Sequence, residues 1–165
     1  MRVGITGHQR LEEPTDWRWV GQEFDHLLSR LLPPLIGVTS LAIGADQFFA
    51  EAVLQQGGSL EAVIPFAGYE STFSEGLDRR EYNRLLRLVC KSEVLERQGS
   101  DEDAYFAAGK RVVDLSELVL AVWNGKPAAG LGGTADVVRY AIQQRKRIIH
   151  LDPIKQKVSE FQGQG

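Results

Sequence analysis

Four glycines stand between Asn124 and Thr134, directly after the apolar run Leu118 to Trp123. Helical spacing resumes near Gly133. A buried strand, a glycine-rich turn and a helix start together make an anion pocket. Unpaired backbone N–H groups project from the helix end, and glycine lets a phosphate approach the chain. Gly125, Gly130, Gly132 and Gly133 supply that close approach, Thr134 adds a hydroxyl, and the Asn124 amide can donate or accept. The chemistry implied is recognition of a nucleotide or a similar phosphorylated small molecule. The plainer alternative is a solvent loop in which glycine only turns the chain.

Two further loops carry polar groups at strand ends. Gly7-His8-Gln9-Arg10 follows the first strand. Gly7 permits a tight turn there, while His8 and Arg10 are suited to a phosphate or a base edge. Arg10 also fits a plain surface position. Ser40-Leu-Ala-Ile-Gly44-Ala-Asp46 ends in an acid in the first turn of the next helix. Asp46 either accepts from a ribose hydroxyl or simply complements the helix N-terminus. Gly44 allows a ligand or the neighbouring loop to come close. The aromatics of Pro65-Phe66-Ala67-Gly68-Tyr69 either flank a base or pack on the sheet edge. Lys126 is a mobile cation beside the glycine loop. Neither a G-x-x-x-x-G-K-[ST] loop nor a G-x-G-x-x-G turn after the first strand is present, which removes support for ATP hydrolysis and nicotinamide chemistry.

These loops need strands and helices to hold them. Arg2 to Thr6, Leu35 to Leu41, Leu60 to Pro65, Leu118 to Trp123 and Arg147 to Leu151 read as strands, with a weak one at Val94-Leu95. Helical spacing begins after Pro14, and Glu12-Glu13 reads as its solvated approach. Further helices are expected after Asp46, from about Gly76 to Lys91, after a Ser100 cap, and through Val137 to Ile142. Arg79, Arg80, Arg84 and Arg87 read as a solvated face, and Cys90 as a buried, inert thiol in a helix. Strand and helix alternate throughout. The fold class is therefore α/β, a single domain over 1–154 with a mainly parallel sheet and helices on both faces; 155–165 read as a loosely attached tail. In such a sheet the three loops share one edge, where ligands bind.

The 165 residues suit one domain, and the net charge of −3 with mixed signs argues against a nucleic-acid partner. Arg145-Lys146-Arg147 sits at a helix end, where it complements the dipole. One cysteine excludes an internal disulfide, and a structural zinc site is not supported. With neither leader-like nor spanning segments in the sequence, a cytoplasmic protein without membrane attachment is expected. No cofactor or metal is called for.

Val3-Gly-Ile-Thr-Gly-His8, Ala42-Ile-Gly-Ala-Asp46, Leu120-Ala-Val-Trp-Asn-Gly125 and Gly132-Gly-Thr134 together resemble the SLOG superfamily of Rossmann-like nucleotide-derivative sensors and enzymes. It includes the LOG phosphoribohydrolases and the DprA-like and YpsA-like proteins. The resemblance implies a Rossmann-like domain and a phosphate-binding loop. The LOG motif P-G-G-x-G-T-x-x-E is only partly present: Gly133-Thr134 matches G-T, Leu131 replaces a glycine, and Val137 stands at the glutamate position. Asp136, one residue early, is rotated by about 100° around the helix. The departure favours a binding or sensing module for a nucleotide-like small molecule. A nucleoside 5'-monophosphate N-glycosidase, with Asp46 and Asp136 as candidate catalytic acids, is the alternative; a structural domain with a vestigial pocket is the third reading. The apolar first and fourth helices are compatible with a homo-oligomer, as relatives in this superfamily often pair.

Overall fold

The structure is a computed structural model that describes residues 1–11, 16–127 and 132–162. The readings placed on Glu12-Glu13, Pro14, Gly130 and Leu131 lie outside the described residues. The elements run β1 (Arg2–Gly7), α1 (Asp16–Leu28), β2 (Ile36–Thr39), α2 (Ala45–Gln55), β3 (Ser59–Ile64), α3 (Leu77–Leu86), β4 (Lys91–Val94), α4 (Asp101–Leu115), β5 (Leu118–Val122), α5 (Thr134–Gln143), β6 (Arg147–Asp152) and β7 (Lys157–Gln162). A short 3-10 turn covers Tyr69–Thr72.

Side-chain alternation decides which face each strand residue serves. Val3, Ile5, Leu118, Leu120 and Val122 join Val20, Phe24, Leu28, Phe49 and Val53 of α1 and α2 in one core. Val119 and Ala121 point the other way, against Val137, Val138 and Ala141 of α5. Phe24 and Phe49 meet edge to face at 5.8 Å. Both are fully buried, each contributing roughly 2–3 kcal/mol of burial. Ser100 caps α4 as expected. Its hydroxyl accepts from the Asp103 N–H, and the Asp103 carboxylate accepts from the Ser100 N–H at 2.9 Å.

The strand order is β4-β3-β2-β1-β5-β6-β7, with β1 to β6 parallel and β7 antiparallel on the edge. The chain winds outward from β1 to β4, then crosses back to lay β5 on the other side of β1. That reversal leaves a crevice beyond the carboxyl ends of β1 and β5, where Gly7 pairs with Val122.

Three expectations need correction. Residues beyond Ile154 are not a loose tail, because Lys157–Gln162 pairs along the whole of β6. Asp152 holds the turn by accepting from the N–H groups of Ile154 and Lys155, both at 3.0 Å. The third helix stops at Leu86 rather than near Lys91, and the following strand starts at Lys91. Cys90 is consequently exposed, not buried; its N–H donates to Leu60 O at 2.8 Å, which starts the edge pairing with β3.

Candidate functional site

A cleft of about 490 Å³ opens at the reversal point. The end of β1 and its loop (Thr6 to Gln9) form one wall, and Ser40, Ala42 and Asp46 another. Trp123, Asn124 and the start of α5 close the far side, while Ala108, Gly109 and Val112 of α4 give an apolar floor between Tyr105 and Val137.

Backbone hydrogen bonds bind the loops to each other. The His8 N–H donates to Val122 O and the His8 carbonyl accepts from the Ala45 N–H, both at 3.1 Å. The Asn124 N–H donates to His8 Nε2 at 3.2 Å. Burial lowers the His8 pKa, and hydrogen bonding with Asn124 raises it by less. A lone pair facing a backbone N–H and a lowered pKa both describe a neutral ring at pH 7. His8 therefore presents a polar edge to the cleft rather than a positive charge.

Asp46 lines the cleft but is held by its own loop. Its Oδ2 accepts from the Thr39 hydroxyl and from the Ser40 N–H, both at 2.9 Å. Thr39 Oγ1 in turn accepts from the Leu41 N–H. Burial pushes the Asp46 pKa up to about 6, against the lowering effect of these hydrogen bonds. Its folded pKa lies above the ordinary value of 3.8, so the folded state keeps the proton after the unfolded chain has lost it. Stability therefore falls as pH rises through that window and levels off above it, by an amount on the order of 3 kcal/mol. Asp46→Asn keeps an acceptor oxygen and removes the titration. Urea unfolding from acid to neutral pH should show the decline in the wild type and a flatter profile in the variant. Identical slopes would mean that Asp46 does not titrate in this way.

The start of α5 has the features of an anion seat. Gly133 is its N-cap, with extended φ and ψ of −69° and 172° and no side-chain cap. Gly133 O accepts from the Asp136 and Val137 N–H groups. Among the described residues nothing accepts from the Thr134 or Ala135 N–H, and both residues line the cleft. Asp136 does not line it. One carboxylate oxygen accepts from the Gly132 N–H at 3.0 Å and the other from Arg139 at 3.0 Å, so this acid braces the glycine loop from behind.

Of the residues singled out in the sequence, the cleft gathers Gly7, His8, Ser40, Asp46, Asn124, Gly132, Gly133 and Thr134. Arg10 and Gly125 open instead onto a neighbouring depression. Gly44 lies beneath the β1 loop, where a Cβ would stand 2.3 Å from Gln9 O. Gly130 is outside the described residues. The floor on α4 is a part of the site that the sequence reading did not name: Tyr105, Ala108, Gly109 and Val112 have the spacing of an ordinary apolar helix face, and the small pair Ala108-Gly109 inside it is the available signal. The arginines of α3 are partly as expected: Arg84 pairs with Glu51 and Glu81, while Arg79 donates to Phe73 O.

No family model matches the chain, and no curated protein does either. Solved structures do. DNA processing protein A (DprA) from Streptococcus pneumoniae is similar at TM-score 0.63 and 18% identity, over 90% of this chain and 49% of that one. DNA processing protein A from Helicobacter pylori, described for its unique single-stranded DNA binding mode, gives 0.62 and 18% over 91% and 64%. The Moco carrier protein of Chlamydomonas rheinhardtii gives 0.54 and 15% over 92% and 75%. The chain thus spans about half of the first protein and under two thirds of the second. The exclusion of a nucleic-acid partner is withdrawn, because the first two neighbours are DNA processing proteins and one is described by how it binds single-stranded DNA. A net charge averages over the whole surface and says little about one cleft. No helix is long and apolar enough to cross a membrane among the described residues. At these identities the likeness speaks for architecture alone: the chain has a Rossmann-like α/β fold, shared with these neighbours.

Proposed function

We propose that the cleft binds a nucleotide or a nucleotide-derived phosphorylated small molecule, with a phosphate at the start of α5 and the nucleoside over the α4 floor. The observation that carries this is the pair of N–H groups at Thr134 and Ala135, which meet no acceptor among the described residues and belong to residues lining a largely apolar crevice. His8, Ser40 and Asn124 supply polar groups for the sugar or base. Binding is favoured over N-glycosidase chemistry by the state of the two candidate acids. Asp46 is tied into its own loop, and Asp136 braces the glycine turn outside the cleft.

The test is incubation of the protein with a panel of nucleoside monophosphates, followed by desalting and chromatography. Retained nucleotide without free base is the expected result. Release of base would make the protein a phosphoribohydrolase; neither retention nor release would sink the reading.

A second reading seats one nucleotide of a single strand in the same cleft. The likeness to the H. pylori protein described for single-stranded DNA binding favours it. A short oligodeoxynucleotide that displaces a bound mononucleotide would support this reading.

A further inference from the structure

Beside the main cleft lies a second depression of about 530 Å³, across the wall made by His8 and Asn124. Those two residues and Lys126 line both spaces. Their charge differs. Among the described residues that line it, the main cleft has one cation, Lys126, and one acid, Asp46. The second space is lined by Arg10, Lys126 and Lys155, with His150 beside them. All three cations are exposed, and among the described residues none has an ion-pair partner. The one carboxylate among the described residues that line it, Asp152, is buried and accepts from the N–H groups of the turn that carries Lys155.

The three cations come from loops far apart in the chain: the β1 loop, the β5 loop and the β6–β7 turn. The last of these is fixed by the pairing of β7 on β6. Three exposed cations lining one depression give it a positive potential, which attracts an anion. A single phosphate is already accommodated by the helix start of the main cleft.

We infer that the second depression is a subsite for a further phosphate of the same ligand. The preferred ligand then carries at least two phosphates, as a pyrophosphate or across a phosphodiester link to a second nucleotide. The inference rests on the nucleotide reading of the main cleft. Lys126, common to both spaces, bridges the two anionic groups, while Arg10 and Lys155 act only on the outer one. Attraction to exposed cations weakens as salt is added.

Calorimetric titration tests this with nucleoside 5'-monophosphates, the matching 5'-diphosphates and a 5'-phosphorylated dinucleotide. The wild type is expected to prefer one of the two-phosphate probes by about tenfold or more, a margin that shrinks at high salt. In the Arg10→Glu and Lys155→Glu variants the ratio of the two affinities should collapse toward one. Preference for the diphosphate identifies a free nucleotide, and preference for the dinucleotide identifies a strand. A wild-type ratio near one, or a ratio unchanged in both variants, overturns the subsite while leaving the main cleft standing. Failure of every probe to bind overturns the nucleotide reading and the subsite with it.

Discussion

Gly44→Ala is expected to destabilise the protein by about 3 kcal/mol and lower its midpoint of thermal unfolding by about 10 °C. Two independent effects combine there. The residue sits at φ 82° and ψ −127°, a region that side chains other than glycine rarely adopt. Its Cβ would also stand 2.3 Å from Gln9 O and 2.6 Å from His8 O, which are backbone atoms and cannot swing aside. The His8 carbonyl is the acceptor of the Ala45 N–H, so relief of the clash would pull the β1 loop off the start of α2. Gly57→Ala is the matched control, because Gly57 has φ 73° with nothing within 4 Å of the added carbon. It should lose only the left-handed penalty of about 1 kcal/mol. Urea unfolding of the two variants separates strain from contact. Equal losses would mean that the β1 loop does not rest on Gly44 as described.

The same contact explains why the glycines were only half legible in the sequence. A glycine at a strand end signals close approach, yet the partner can be a ligand or another loop, and the residue type is the same for both. Gly44 belongs to the loops; a Cβ on Gly132 would likewise meet Glu102 O at 2.8 Å. Gly133, by contrast, caps a helix and lines the cleft. The sheet, in contrast, was legible from its chemistry. Runs such as Leu118 to Val122 serve two cores by simple alternation, and the helices repeat apolar residues at the spacing their buried faces need.

The acids show where residue type underdetermines role. Asp46 suits a helix N-terminus, a ribose contact or a loop brace, and only the fold brings Thr39 and Ser40 onto one of its oxygens. Asp136 stands three residues after the Gly133 cap. That is the position from which an acid reaches back to an N–H before the helix, and the spacing already carried that signal. The extended third helix had a different cause. Leu85, Leu86 and Val89 keep helical spacing, but the chain leaves the helix at Leu86 so that Cys90 can begin pairing with β3. The cations Arg10, Lys126 and Lys155 were invisible as a group, since sequence windows are far shorter than the distances between them.

Gly133→Leu should reduce nucleotide affinity by about a hundredfold while changing stability by no more than about 1 kcal/mol. The φ of −69° and ψ of 172° are open to any residue, so leucine meets no backbone strain at the cap. Replacing a glycine N-cap by an aliphatic residue is a modest loss in itself. Binding is different, because Gly133 lines the cleft beside the Thr134 and Ala135 N–H groups. Four added carbons at this position obstruct a phosphate approaching those donors. Two charge-assisted hydrogen bonds are together worth about 3 kcal/mol or more, which is the hundredfold expected. Thr134→Ala removes only the hydroxyl and should weaken binding by a smaller factor, leaving both N–H groups in place. Isothermal titration of wild type and both variants, with a thermal melt of each, reads the two effects apart. Affinity within twofold of wild type in a folded Gly133→Leu protein would remove the phosphate from the start of α5.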